Sequence, residues 1–326
     1  MRGERVSVVI PVRNAERTIE GTLRAIAALT TPPDEVVLVD DGCTDGTIEK
    51  ARPFGCRVVP SREPGGVAAA RNTGAAEATG GILLFVDADV ELDPGALDAA
   101  LGTLGDPDVH VAVGLQSPRS VFPNAASVYK NLWLHYTYKE RAKRVSVIYS
   151  SAVAIRREAY ERVGGFDTNY KTPNIEDSDL GKRITEAGFR MAVSPGLRFL
   201  HIKRYSVASM IRTDFHRTVG MMKVQIRDRF RRIYHENYTS IPTSFLISCL
   251  APWTAIPLGV LFGAAPALLA PPLLALILNH HWLRFVAGSG GTRLALAGVP
   301  LLFLDILSVN LGAIWGALDY LRGKTY

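Results

Sequence analysis

The chain has 326 residues, 48% of them apolar, and a formal net charge of +6 at pH 7, which suits one large domain or two ordinary ones. The charge is unevenly placed: residues 1–197 hold 23 basic and 26 acidic residues, whereas residues 198–232 hold 10 basic and 2 acidic. One basic block ahead of an apolar tail, with no zinc finger or other DNA-reading motif, points to an anionic membrane surface rather than to nucleic acid.

The first apolar run, VSVVIPV (Val6–Val12), reads as a buried strand, and at seven residues it is too short for a signal peptide. NAERTIEGTLRAIAAL follows, with Asn14 as the expected N-cap and Ile19, Leu23 and Ile26 on one stripe. EVVLVDDG (35–42) is a second strand closed by a turn, and CRVV (56–59) a weaker third. PGGVAAARNTGAAEATGG (64–81) enters an Ala-rich helix, and ILLFV (Ile82–Val86) is a fourth strand, ending in Asp87-Ala88-Asp89. Strands alternating with helices predict a mostly parallel sheet flanked by helices. In such sheets ligands sit beyond the carboxyl ends of the strands. Three polar clusters fall there: residues 11–14, Asp40-Asp41-Gly42 and Asp87-Ala88-Asp89.

Residues 124–144 read as a helix carrying Tyr129, Trp133, Tyr136 and Tyr138, expected to be packing aromatics. Residues 146–167 read as a strand, a short helix and a Gly-Gly turn, and residues 174–189 as a capped helix. Two short strands, near Met191 and at 197–201, close the globular part. From residue 245 to 278 there are 34 residues without a charge, more than the roughly 20 that cross a bilayer. Gly263 and Pro266 lie midway, so two short spans joined by a tight turn are expected. Residues 294–318 form a further span, interrupted by Asp305. The basic block before the first span places the globular part in the cytoplasm. Cys43, Cys56 and Cys249 have no paired or metal-ligand spacing, as in a reducing compartment.

The carboxylates of Asp87 and Asp89 close a buried strand, where two like charges repel unless a cation lies between them. Hard oxygen ligands suit Mg²⁺ or Mn²⁺, which bind phosphate oxygens in their remaining positions. A nucleotide-sugar needs such a cation, because its leaving diphosphate develops negative charge. The acceptor hydroxyl needs a base. Asp177 lies three and seven residues before Leu180 and Ile184 and so shares their inward stripe, while Asp179 shares a face with Arg183 and Glu186 and is expected to be solvated.

The segments VSVVIPVRNAERTI, VVLVDDGCTDGT, AAARNTGAAEATGGILLFVDADV, VGGFDT and IEDSDLGKRI, with His201 ending a later strand, resemble in kind and order the family 2 glycosyltransferases of the GT-A fold. The resemblance covers residues 6–201 and implies an inverting sugar transferase. It implies that Asp40 or Asp41 holds the nucleotide base, helped by the loop from Pro11 to Asn14. Arg71 would lie near the nucleotide or its phosphates. Asp89, with Asp87 beside it, would serve the divalent cation and the donor ribose, His201 would reach the metal or the diphosphate, and Asp177, after Glu176, would be the catalytic base. The donor would be a UDP- or GDP-sugar and the acceptor a lipid-linked or membrane-delivered hydroxyl.

There are departures. Cys43 stands where Ser is usual in the Asp-Asp-Gly-Ser turn, and QIRDRF (225–230) lacks the spacing and the aromatic of the Gln-x-x-Arg-Trp motif of processive synthases. Val90-Glu91-Leu92 also replaces the dolichol-phosphate-mannose synthase-like pattern after Asp-x-Asp. The alternatives are a membrane-anchored sugar-nucleotide-binding protein without catalysis and a nucleotidyltransferase, whose usual Gly-rich loop after the first strand is absent. A dinucleotide dehydrogenase lacks its Gly-x-Gly-x-x-Gly there. The expected organisation is a glycosyltransferase domain over residues 1–204, a basic interfacial linker over 205–240 and a membrane region over 241–326 with two or three spans.

Overall fold

Val6–Val12 and Ile82–Val86 are buried along their whole length, as strands covered on both faces must be. The structure is a computed structural model and describes residues 4–63, 66–140, 145, 147–170, 175–228 and 241–326. Among these, the chain divides into two compact units, one of residues 4–121 and 138–203, the other of 122–137, 204–228 and 241–326.

The first unit is built on an eight-stranded sheet: β1 (Val6–Val12), β2 (Glu35–Asp40), β3 (Arg57–Pro60), β4 (Ile82–Val86), β5 (Val90–Leu92), β6 (Val109–Gln116), β7 (Ala152–Arg156) and β8 (Arg190–His201). Their order across the sheet is β3-β2-β1-β4-β7-β6-β8-β5. The first four neighbours are parallel. Beyond β4 the sheet is mixed, because β7 runs antiparallel to both β4 and β6 while β6 and β8 are parallel and β5 is antiparallel to β8. The register of β1 on β2 sets Val12 beside Asp40, so those two polar strand ends emerge together.

The helices along the chain are α1 (Ile19–Ala27), α2 (Thr47–Ala51), α3 (Val67–Glu77), α4 (Ala96–Leu104), α5 (Ala125–Glu140), α6 (Arg157–Arg162) and α7 (Glu176–Glu186). The Ala content of α3 has a packing reason. The helix lies on β1 and β2, and at Gly74 an added Cβ would collide with the side chains of Val9 and Val39. Small residues let the helix axis approach the sheet, and they carry Arg71 into a buried position.

Three local expectations change. Asn14 does not cap α1: it adopts φ 54°, a left-handed conformation that an N-cap cannot have, and α1 starts at Ile19 after Thr18 with no side-chain cap. The two short strands expected around residues 191–201 are one, β8, which absorbs the Ser-Pro-Gly stretch as a register shift against β6. The capping residue expected at position 174 lies outside the described residues, and α7 is preceded by Ile175.

The second unit holds most of α5 together with α8 (Val207–Arg227), α9 (Thr243–Ser248), α10 (Ala255–Phe262), α11 (Ala264–Leu278) and α12 (His280–Leu321). Gly263, at φ 87°, makes the tight turn between α10 and α11, and Gly291, at φ 77° and ψ 175°, breaks α12. Tyr129 and Trp133 of α5 pack edge-on against Trp282 of α12. Ser308 Oγ donates to the Ile211 carbonyl at 2.8 Å, and Gly312 and Gly316 lie against the backbone of α8 at Phe215 and Val219. These pairs advance together along the chain, so α8 and α12 run side by side in parallel. Thr243–Phe262 and His280–Leu321 are long and apolar enough to cross a membrane, and only 22% and 33% of their most apolar windows are buried. Ile256, Val260, Leu261, Phe262, Leu268 and Leu269 stand exposed, and apolar residues gathered on one exposed segment mark a surface that meets a membrane or a partner.

Candidate active site

At the ends of β1 and β2, Asn14 Oδ1 accepts from the Thr44 amide at 2.8 Å and from its hydroxyl at 3.2 Å. Asp40 Oδ1 accepts from the Gly42 and Cys43 amides at 3.0 and 2.8 Å, and Gly42 turns at φ 85°. Asp41 is buried. Pro11 sits buried inside β1 opposite Val39 rather than on the loop. The Cys43 thiol lies 3.6 Å from the Val12 carbonyl. Burial, with Asp40 adjacent, pushes this thiol up to about 11, so it stays protonated and donates as a serine hydroxyl would.

At the end of β4, Asp87 is held on both carboxylate oxygens. Arg71 Nη2 donates to Oδ1 at 2.8 Å, and Ser151 Oγ donates to Oδ2 at 2.8 Å. Burial alone would raise the Asp87 carboxyl, but the Arg71 guanidinium and the Ser151 hydroxyl outweigh it and hold the group below the usual carboxylate range. The other nitrogen of Arg71, Nη1, donates to Glu176 Oε1 at 3.0 Å. Arg71 and Glu176 are both buried, and the guanidinium lies 5.1 Å from the centre of the Phe166 ring.

Asp177, in the first turn of α7, is half-buried. Its Oδ1 accepts from the Ser178 amide at 2.7 Å, and its Oδ2 lies 3.5 Å from Ser150 Oγ. Asp179 is not solvated as its helical face suggests. It is buried and paired with Arg183 Nε at 2.7 Å. Charges on this inner flank of α7 are thus balanced in pairs, Glu176 by Arg71 and Asp179 by Arg183.

Asp89 is fixed by pairing. Its carbonyl accepts from Ile202 at 2.8 Å, and Val90 faces His201 in the β5–β8 register. His201 Nε2 lies 3.2 Å from Asp89 Oδ2. On the far side of the ring, Nδ1 lies 3.3 Å from the Tyr149 hydroxyl, which donates to Gln116 Oε1 at 3.1 Å. The His201 ring thus stands between Asp89 on one side and the Tyr149–Gln116 pair on the other. An imidazole nitrogen and a carboxylate are ligand types that fit a divalent cation.

The structure thus joins Asp87, Arg71, Glu176 and Asp177 in one cluster, Asp89 and His201 in a pair, and Asn14 with the turn after Asp40. Ser150, Ser151 and Tyr149 carry no motif and were not visible in the sequence. Their only signal is that they immediately precede a strand pairing with β4.

Known proteins are similar to this chain in sequence and fold. The model of glycosyl transferase family 2 matches residues 7–164, and that of the N-terminal domain of galactosyltransferase matches residues 135–208. The glycosyltransferase AglE of Haloferax volcanii is 29% identical over 70% of this chain and 77% of its own length. The pre-mycofactocin glycosyltransferase of Mycobacterium tuberculosis is 29% identical over 96% of this chain, which spans 62% of that longer protein. The N-acetylglucosaminyl-diphospho-decaprenol L-rhamnosyltransferase of the same organism is 29% identical over 58% of this chain and 73% of its own. Among solved structures, the mannosyltransferase PcManGT from Pyrobaculum calidifontis, in complex with GDP-Man and Mn²⁺, matches 98% of this chain and 88% of its own with a TM-score of 0.60 and 27% identity. With its Asp-x-Asp strand end, its Glu-Asp helix start and these relatives, the chain carries a family 2 glycosyltransferase domain, matched over residues 7–164.

Proposed function

We propose that this glycosyltransferase moves a sugar, with inversion, from a UDP- or GDP-sugar to a hydroxyl of a lipid-linked or membrane-delivered acceptor. The observation that carries the reading is the cluster in which Asp177 stands next to a Glu176 already neutralised by Arg71, beside the strand end of Asp87 and Asp89. In the proposed step the acceptor oxygen attacks the anomeric carbon and passes its proton to Asp177. The bond from that carbon to the diphosphate breaks, and its electron pair leaves on the diphosphate. One displacement inverts the anomeric centre. The turn at Asp40 and Asp41, with Pro11 and Asn14 below it, would receive the nucleotide base. Asp89, His201 and Asp87 would hold a divalent cation, Mg²⁺ or Mn²⁺, which when bound neutralises charge on the leaving diphosphate. The relative solved with GDP-Man and Mn²⁺ supports both donor class and metal, and the rhamnosyltransferase named for a decaprenol-linked substrate supports the acceptor class.

The proposed division of labour assigns residues 1–204 to catalysis, 205–240 to a basic interfacial linker and 241–326 to a multi-pass membrane region, with the catalytic domain on the cytoplasmic side. The excess of basic residues over 198–232 supports that orientation. The test is a panel of UDP- and GDP-sugars given to the full-length protein in detergent, reading nucleoside diphosphate release with and without chelator. One donor turned over only with metal is the expected result. No turnover of any donor, or full turnover in chelator, overturns it.

A further inference from the structure

Four links close a polar ring in the first unit: Arg71 to Asp87 at 2.8 Å, Arg71 to Glu176 at 3.0 Å, Ser151 to Asp87 at 2.8 Å and Ser150 to Asp177 at 3.5 Å. The peptide bonds from Glu176 to Asp177 and from Ser150 to Ser151 complete it. The ring joins α3, the end of β4, the start of β7 and the first turn of α7, four segments far apart in sequence. From it we infer that Arg71 is a positioning residue, not a donor ligand, and that it sets the distance between the metal-side strand end and the base on α7. The inference rests on the glycosyl-transfer reading above.

Both terminal nitrogens of Arg71 are engaged by carboxylates, while its buried Nε has no hydrogen-bond partner among the described residues. The side chain is 3% exposed. A planar guanidinium suits this task because one rigid fork reaches two carboxylates at once, whereas an ammonium reaches one. The next residue secures the stack beneath it. Asn72 Nδ2 donates to the Phe166 carbonyl at 2.8 Å, and Asn72 Oδ1 accepts from the Phe166 amide at 2.9 Å and from the Tyr160 hydroxyl at 2.5 Å. Asn72 thereby holds the turn that delivers the Phe166 ring to the guanidinium. Gly165, at φ 70°, leaves the room this needs, since a Cβ there would lie 2.7 Å from Asn72 Oδ1. The Ala-Arg-Asn, Gly-Gly-Phe-Asp, Asp-x-Asp and Glu-Asp motifs are parts of one brace. Within Glu176-Asp177 the roles separate: Glu176 neutralises the brace, and Asp177 keeps its carboxylate for the acceptor.

The experiment is a double-mutant cycle of Arg71→Met and Glu176→Gln in the full-length protein, with Arg71→Lys alongside. It reads transfer kcat, donor KM and the melting temperature in detergent. Arg71→Met removes the positive charge shared by two carboxylates in a buried site, and Glu176→Gln removes one of those negative charges. The double variant is therefore expected to transfer no more slowly, and melt no lower, than Arg71→Met alone. Arg71→Lys is expected to lower kcat roughly tenfold or more with donor KM within about threefold. Losses that multiply in kcat and add in melting temperature overturn the brace. So does a tenfold rise in donor KM at unchanged kcat for Arg71→Lys, which makes Arg71 a donor ligand. If Arg71→Met does not fold, Arg71→Lys still decides between those two outcomes. If the wild-type protein transfers no sugar, the reading of function fails, while the melting cycle still reports on the brace.

Discussion

Asp89 and His201 meet across the β5–β8 pairing, with the ring Nε2 3.2 Å from Asp89 Oδ2. The Tyr149 hydroxyl lies 3.3 Å from the other ring nitrogen. A divalent cation bound at this pair would also neutralise a diphosphate. Asp89→Ala is expected to abolish donor turnover. His201→Ala should raise the metal concentration for half-maximal rate by roughly tenfold or more. A Mn²⁺ titration of nucleoside diphosphate release measures both, and a titration curve unmoved by His201→Ala removes His201 from the metal.

Asp177→Asn is nearly isosteric and leaves the Arg71–Glu176 pair intact. Transfer should slow by roughly 10² to 10⁴, the usual effect of a positioned base, with donor affinity kept. Steady-state transfer alongside donor binding by calorimetry separates the two, and wild-type transfer would assign the base elsewhere. The anomeric configuration of the product, read by NMR, should be inverted.

Glu35 gives the first unit an acid limit. Burial alone would raise its carboxyl, but the Ser7 hydroxyl, the Thr79 amide and hydroxyl and the Arg57 guanidinium pull it from 4.5 down to about 2. A depressed carboxylate contributes stability above its unfolded value and loses it as pH falls through the folded one. Unfolding free energy should therefore drop between about pH 4.5 and 2, by on the order of 2 kcal/mol from this group. Glu35→Gln should be less stable at pH 7 by a similar amount and show a shallower acid slope. Urea melts followed by near-UV circular dichroism at several pH values check the sign.

Gly316 sits where a Cβ would lie 2.6 Å from the Val219 carbonyl oxygen and 2.9 Å from the Met222 Cβ. Gly316→Leu should force α8 and α12 apart at a cost of about 1–3 kcal/mol, lowering the melting temperature in detergent. Gly288, with open space around it, is the control: Gly288→Ala should not lower it.

Transfer to a membrane-borne acceptor should depend on anionic lipid. Basic residues near such a surface contribute on the order of 1 kcal/mol each. Vesicles carrying a polyprenyl-diphosphate-sugar acceptor should support faster transfer when anionic lipid replaces neutral lipid, and the gain should fade with salt. A rate indifferent to both, matched by a soluble acceptor, rules against docking by the basic block.

The elements easiest to read in sequence were those with one dominant force behind them. Continuous apolar runs make β1, β2 and β4, because a strand covered on both faces admits nothing else. The same holds for the uncharged stretch that becomes α9, α10 and α11, and the Asp-x-Asp and Glu-Asp pairs showed themselves by charge. What stayed hidden depended on tertiary partners. Arg71 looked free to meet a phosphate because neither carboxylate that holds it is near in sequence. Asp179 looked solvated because its neighbour Arg183 reads as polar surface rather than as the partner of a buried carboxylate. Asn14 has the composition of a cap, and only the Thr44 contact reveals a left-handed turn.

The path of the chain between the two units has a consequence for engineering. The polypeptide enters the second unit at residue 122, returns to the first at 138 and leaves it again after 203. Exchanging the hydrophobic tail between homologues at a single junction would therefore graft a foreign α12 onto a resident α5, with Trp282 severed from Tyr129 and Trp133. A working chimaera has to carry residues 122–137 along with everything after 203, so that every segment of the second unit is replaced at once.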